Sequence, residues 1–140
     1  MSSSVPTPSV AERLADSVGA LTPQSVPADV RTRCEDLLID VTGLCVAART
    51  SDYIAALVRS VDEGGPCTAV GHPGTFRAED AAMINGTAAH GEDFDDTFEG
   101  GPVHAGAVIV PAVFAACERF RSAHVENPQR RFGTGGTCGL

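Results

Sequence analysis

Apolar residues recur mainly at intervals of three and four along this chain, the spacing of one helical face, and only short stretches depart from it. Ser9 followed by Glu12 predicts a capping box that opens a helix with Val10, Leu14, Val18 and Leu21 on one side, ended by Thr22-Pro23. From Ala28 to Ala48, the residues Val30, Cys34, Leu37, Leu38, Val41, Leu44, Cys45 and Ala48 keep the helical rhythm throughout. Asp52 is placed to cap a third helix carrying Ile54, Leu57, Val58 and Val61, which the Gly64-Gly65-Pro66 breaker stops. Cys67 to Gly71 reads as a short extended piece.

The Ala-rich run from Ala78 to His90 is helical by propensity, and Gly86 within it, about 1 kcal/mol worse than Ala, points to close packing or a bend. A charged, Gly-rich loop, GEDFDDTFEGGPVH, separates it from AGAVIVPAVFAACERF, which is apolar on every side and predicts a buried helix. Pro111 implies a kink there, or a helix that starts nearer Val110. The two ends differ from the rest: residues 1–8 are Ser/Pro-rich and read as disordered, and residues 122–140 lose helical periodicity and read as a divergent tail. No internal repeat is visible. The expectation is one all-α domain over residues 9–121.

Composition strengthens the helical reading, because the apolar residues are mostly Ala, Val and Leu, with no Trp, one Tyr and six Phe. A net charge of -8 argues against nucleic acid, which requires a Lys/Arg surface, but leaves room for a small anion held by local donors. Five widely spaced cysteines without a CxxC pair are expected to be mostly reduced core residues. The longest apolar run, Ala105 to Cys117, is too short to span a bilayer, and the first residues lack the features of a signal peptide, so the expected location is cytoplasmic, with no membrane partner.

Chemistry concentrates in one segment, where His90, Glu92, Asp93, Asp95, Asp96, Thr97, Glu99 and His104 fall within fifteen residues between two apolar helices. Like charges this close cannot all ionise freely, so at least one carboxylate is expected to have a raised pKa, and such a group beside a histidine suits proton transfer near neutral pH. An equally simple reading is that the acidic loop only caps the next helix, each carboxylate contributing about 0.3–1 kcal/mol. Metal binding is a weaker rival: the ligand types are present, but there is no HxxxH pair, and DFDDTFEGG lacks the order of a calcium loop. His72 in GHPG reads as a turn residue, His124 lies in the tail, and Cys117 reads as packing rather than nucleophile.

Asn85-Gly86-Thr87-Ala88-Ala89-His90, then Asp93-Phe94-Asp95-Asp96-Thr97, then His104-Ala105-Gly106-Ala107-Val108 with Pro111-Ala112, together resemble the MmgE/PrpD family. The earlier stretch PADVRTRCEDLLIDVTGLCVAA is similar to that family's second helix, and the resemblance covers about Val10 to Arg121. It implies the amino-terminal piece of a large helical domain in a homodimeric enzyme with a smaller second domain. Members of the family, dehydratases, decarboxylases and epimerases of small polycarboxylates, move a proton beside a carboxylate without metal or organic cofactor.

Carried over residue by residue, the resemblance implies that Asp93, Thr97 and His104 are catalytic, with His90, Asp95 and Asp96 shaping the substrate site. His104 would exchange a proton with substrate, Thr97 would hydrogen-bond a carboxylate, and Asp93 would orient a histidine or take part in proton transfer. The span FEGGPVH from Phe98 to His104 departs from the dehydratase and decarboxylase pattern and points toward an epimerase or dehydratase rather than a cis-aconitate decarboxylase. The family's later His, Lys and Tyr have no counterpart here, so the expectation is a truncated chain, inactive alone. The alternative from another class is a non-catalytic helical interaction module.

Overall fold

The computed structural model describes residues 7–126, with side chains described to residue 121. Along these residues run α1 (Val10–Gly19), α2 (Ala28–Ala48), α3 (Asp52–Arg59), β1 (Glu63–Thr68), β2 (Thr75–Phe76), α4 (Ala78–His90) and α5 (Ala105–Glu126). They divide into two compact units, Met1–Glu35 and Asp36–Leu140, with the first turns of α2 in the former. The disorder expected over residues 1–8 falls mostly, and the tail from residue 127 falls wholly, outside the described residues.

In the first unit the capping box forms as its sequence dictates. Ser9 Oγ accepts from the Glu12 amide at 3.2 Å while Glu12 Oε2 accepts from the Ser9 amide at 2.7 Å, which satisfies two otherwise unpaired helix-end donors. The Ser9 amide holds the Glu12 carboxyl below its usual pKa. Val10, Leu14 and Val18 follow one another at intervals of four in α1 as expected, while Leu21 lies beyond the Ala20 cap; all four are exposed and α1 buries none of its residues.

The second unit holds the core. The last turns of α2 bury Val41, Cys45 and Ala48 against Ile54 of α3, Ala88 and Ala89 of α4, and Ala107 and Val110 of α5. Asp52 does not cap α3: Ser51 occupies that position, and its hydroxyl donates to the Ala48 carbonyl at 2.8 Å, closing the end of α2. Asp52 instead stands in the first turn, where a carboxylate favours the helix dipole.

The all-α expectation needs correction, because β1 and β2 form a small antiparallel sheet. The segment read as a breaker, Gly64-Gly65-Pro66, is the bulge of β1: both Glu63 and Cys67 pair with Phe76, and Gly64 has φ 118°, open to glycine but strained for other residues. Pro66, which lacks an N–H, sits in that bulge. Cys67, Ala69 and Phe76 then pack on Ala81, Ile84 and Ala115 as a second core cluster. Polar ties fix the hairpin to the helices. Glu118 of α5 accepts from both the amide and the hydroxyl of Thr68, at 2.8 and 2.7 Å, and the buried Asn85 of α4 accepts from the Val70 amide and donates to the Thr68 carbonyl, at 2.8 and 2.9 Å.

α4 and α5 pack most extensively against each other, and Gly86 and Pro111 show how. Pro111 lies inside α5, which starts at Ala105 rather than near Val110, so the Ala107 carbonyl four residues earlier has no helical N–H to accept. That carbonyl faces Gly86, where a Cβ would come to 3.0 Å from its oxygen. Helix propensity alone would make Gly86→Ala stabilising by about 1 kcal/mol. Contact with the α5 backbone reverses the sign, and we expect the substitution to destabilise by about 1–2 kcal/mol, read from urea denaturation midpoints at constant slope.

α5 also departs from the expected wholly buried helix. Ala107, Val110 and Ala115 are buried, but Val108, Ile109 and Val113 are exposed, and the helix continues through Ser122 to Glu126. Cysteine burial is likewise divided: Cys45 and Cys67 are buried, while Cys34 and Cys117 are exposed, and burial pushes the Cys45 thiol up to about 11. Among the described residues no single helix is long and apolar enough to cross a membrane.

Candidate active site

The acidic loop connects the end of α4 to the start of α5, and local chemistry fixes its path. Gly91 ends α4 where a Cβ would collide with the Tyr53 ring, and Tyr53 Oη donates to Glu92 Oε1 at 3.1 Å. Asp93 follows at φ 57°, a left-handed conformation that Asp tolerates better than most residues because its short side chain can bond locally. Farther on, the Phe98 amide donates to the Val103 carbonyl at 3.0 Å, closing the Gly-rich tip. Asp96 Oδ1 accepts from the Gly106 amide at 2.9 Å and so caps the first turn of α5 from within the loop.

This path brings His90, Asp93, Asp95 and His104 together, with one nitrogen or oxygen from each lying within 4.8 Å of the others. His90 is the last residue of α4 and His104 immediately precedes α5, so both imidazoles stand on helix ends. Asp95 has a fully buried side chain. Its Oδ1 and Oδ2 lie 3.0 and 3.2 Å from His90 Nδ1, and Oδ1 lies 3.4 Å from His104 Nδ1. On the other side of that ring, His104 Nε2 is 3.6 Å from Oδ1 of the exposed Asp93. The two rings are tilted, with centroids 4.8 Å apart.

The structure therefore separates the six residues singled out in the sequence. Four converge; Asp96 turns to the start of α5; and Thr97 is exposed, without a hydrogen bond to the four among the described residues. The helix-capping reading thus holds for Asp96, whose carboxylate occupies the Gly106 amide at the start of α5. A set of two imidazoles and two carboxylates can hold a divalent ion. In the present geometry His90 and Asp95 satisfy each other instead. An apolar depression of about 290 Å³, lined by Leu44, Ala48, Ala88, Glu92 and Phe94 among others, lies beside the loop, and none of the four converging residues lines it.

His90 has a raised pKa, chiefly from its hydrogen bond to Asp95 and that carboxylate's charge, with a smaller contribution from Asp93 and partial opposition from desolvation. Because the folded value lies above the unfolded one, near 6.5, this pair's stabilisation is full below about pH 6.5 and is lost as pH rises through the raised folded value. Asp95→Asn is expected to bring the His90 titration, followed by its ring proton resonance, back toward the unfolded value. A titration that stays put would mean that Asp95 is not the cause.

Two supporting residues left little trace in the sequence. Asn85 belonged to the quoted motif without a role, and nothing in the spacing of Tyr53 marked it as the residue that pins the loop start.

Residues 12–134 match the MmgE/PrpD N-terminal domain, which carries the match beyond Arg121, where the resemblance was expected to stop. The chain is 28% identical over 124 residues to the cis-aconitate decarboxylase-like protein oryM of Aspergillus oryzae, covering 86% of the chain and 26% of that protein. It is 30% identical over 102 residues to the cis-aconitate decarboxylase of Aspergillus terreus, covering 70% of the chain and 21% of that protein. The chain thus spans about a quarter of the length of the curated relatives it matches. Both relatives are named for decarboxylation, whereas the loop after Thr97 pointed toward an epimerase or dehydratase.

Proposed function

Because the chain belongs to the MmgE/PrpD family, we propose that it supplies the acid–base wall of a lyase that removes carbon dioxide or water from a small polycarboxylate. The observation that carries this reading is the gathering of His90, Asp93, Asp95 and His104 at the facing ends of α4 and α5. His104 Nε2 faces the open side, beside the exposed Asp93, where it can exchange a proton with a carbon or leaving group next to a carboxylate. Thr97, exposed on the same loop, would donate its hydroxyl to a substrate carboxylate. The names of the fungal relatives favour decarboxylation as the outcome and cis-aconitate as the first substrate to try.

A labelled sample of the chain titrated with cis-aconitate tests this. Saturable shifts of the Asp93 amide, the Thr97 methyl and the His104 ring are expected, with the Asp93 and Thr97 shifts lost in His104→Asn. If neither cis-aconitate nor related tricarboxylates moved these signals at millimolar concentration, the reading would fail. A second reading, the helical interaction module, draws on the exposed Val108, Ile109 and Val113 of α5. One defined assembly in sedimentation, combined with silence toward polycarboxylates, would favour it.

A further inference from the structure

We propose that Asp95 is a positioning residue that takes the Nδ1–H of His104 and so leaves Nε2 as the reactive nitrogen, with His90 holding the Asp95 carboxylate in place. As a substrate-binding residue, the role the sequence suggested, Asp95 is badly placed: its side chain is 0% exposed, whereas that of Asp93 is 78% exposed. Its oxygens face inward, to the Nδ1 atoms of both histidines.

His104 Nδ1 shows what this arrangement lacks. It is buried without a hydrogen-bond partner, and the carboxylate oxygen nearest to it is Asp95 Oδ1 at 3.4 Å. A neutral imidazole has two tautomers. With the proton on Nε2, the Nδ1 lone pair would face a buried anionic oxygen, a repulsion that low local dielectric strengthens. With the proton on Nδ1, a small ring rotation converts the 3.4 Å approach into a charge-assisted hydrogen bond, as happens when catalytic contacts that are long without substrate tighten on closure. The Nε2 lone pair then points to the open side, and any imidazolium formed by proton uptake is stabilised by Asp95 behind it. His90 is needed because its Nδ1, bonded at 3.0 Å, restrains a carboxylate that could otherwise turn away.

The functional meaning rests on His104 being the proton-transferring residue, but the tautomer itself does not. It is read without substrate, from long-range proton–nitrogen correlations of the histidine rings in the 140-residue chain near pH 8, with chelator present. The expected result is His104 with a protonated Nδ1 and a bare Nε2, changing to a mixture in Asp95→Asn. A wild-type His104 protonated on Nε2 overturns the proposal, and so does an Asp95→Asn spectrum with the His104 tautomer unchanged. Should that variant not fold, the wild-type spectrum still decides, and His90→Ala adds a check: with the Asp95 carboxylate no longer restrained, the Nδ1–H share of His104 must fall, and an unchanged share overturns the role given to His90. The correct tautomer in a chain that ignores polycarboxylates would sink the proposed function alone. The wrong tautomer in a chain that responds to them would sink only this inference.

Discussion

Exchanging His104 for Asn is expected to slow carbon dioxide release from cis-aconitate by about 10²–10⁴-fold, the range lost when a positioned proton-transfer group is removed. The measurement suits an enzyme in which the stretch of this chain that aligns with the Aspergillus terreus decarboxylase, 102 residues, replaces its counterpart there. Asn is the informative replacement. It retains a polar side chain immediately before Ala105, where Asn is well tolerated at a helix start, so α5 should form as before. It lacks an aromatic nitrogen that can accept and return a proton, so the loss should fall on kcat and kcat/KM together. A rise in KM at constant kcat would instead mean that His104 only binds the substrate, and an unchanged rate would remove it from the chemistry.

How far the sequence revealed this molecule depends on the range of the interaction involved. α2 and α4 were legible to the residue, because their boundaries follow from propensity and the spacing of apolar side chains, and the Ser9 box closes within three residues. The hairpin was not. Its Gly-Gly-Pro bulge looks like a breaker until Phe76, about ten residues later, pairs across it, and that pairing is tertiary information. Pro111 suggested a kink or a later start for α5, whereas the helix runs from Ala105 through it, and the close approach of Gly86 on another helix to the Ala107 carbonyl cannot be seen within α5. In the acidic loop, composition located the chemistry but could not sort adjacent carboxylates. Asp95 and Asp96 are neighbours of the same charge, yet one lies buried between two histidines and the other caps a helix, a division set by the path of the backbone.

The largest structural effect is expected at Gly65. A Cβ there would lie well inside van der Waals contact of the Phe76 carbonyl carbon and oxygen and of the Arg77 amide nitrogen. All three are backbone atoms, so no rotamer change relieves the overlap, and the strands must separate or the bulge rearrange. Either response disturbs Phe76, which is completely buried, and the Thr68 carbonyl through which Asn85 anchors α4. We expect Gly65→Ala to destabilise by about 3 kcal/mol or more, at the high end for a single added methyl group. Gly43, in the interior of α2, provides the contrast, since a Cβ there would meet nothing within 4 Å. Gly43→Ala should therefore follow propensity alone and stabilise by about 1 kcal/mol. The two variants differ from the parent by the same atoms, so urea denaturation of the pair isolates the space around each glycine from the general effect of removing backbone freedom. If both shifted in the same direction, the close approach of β1 to Phe76 would be wrong. If they diverge, the hairpin that anchors α4, and with α4 the position of His90, depends on the absence of a side chain at residue 65.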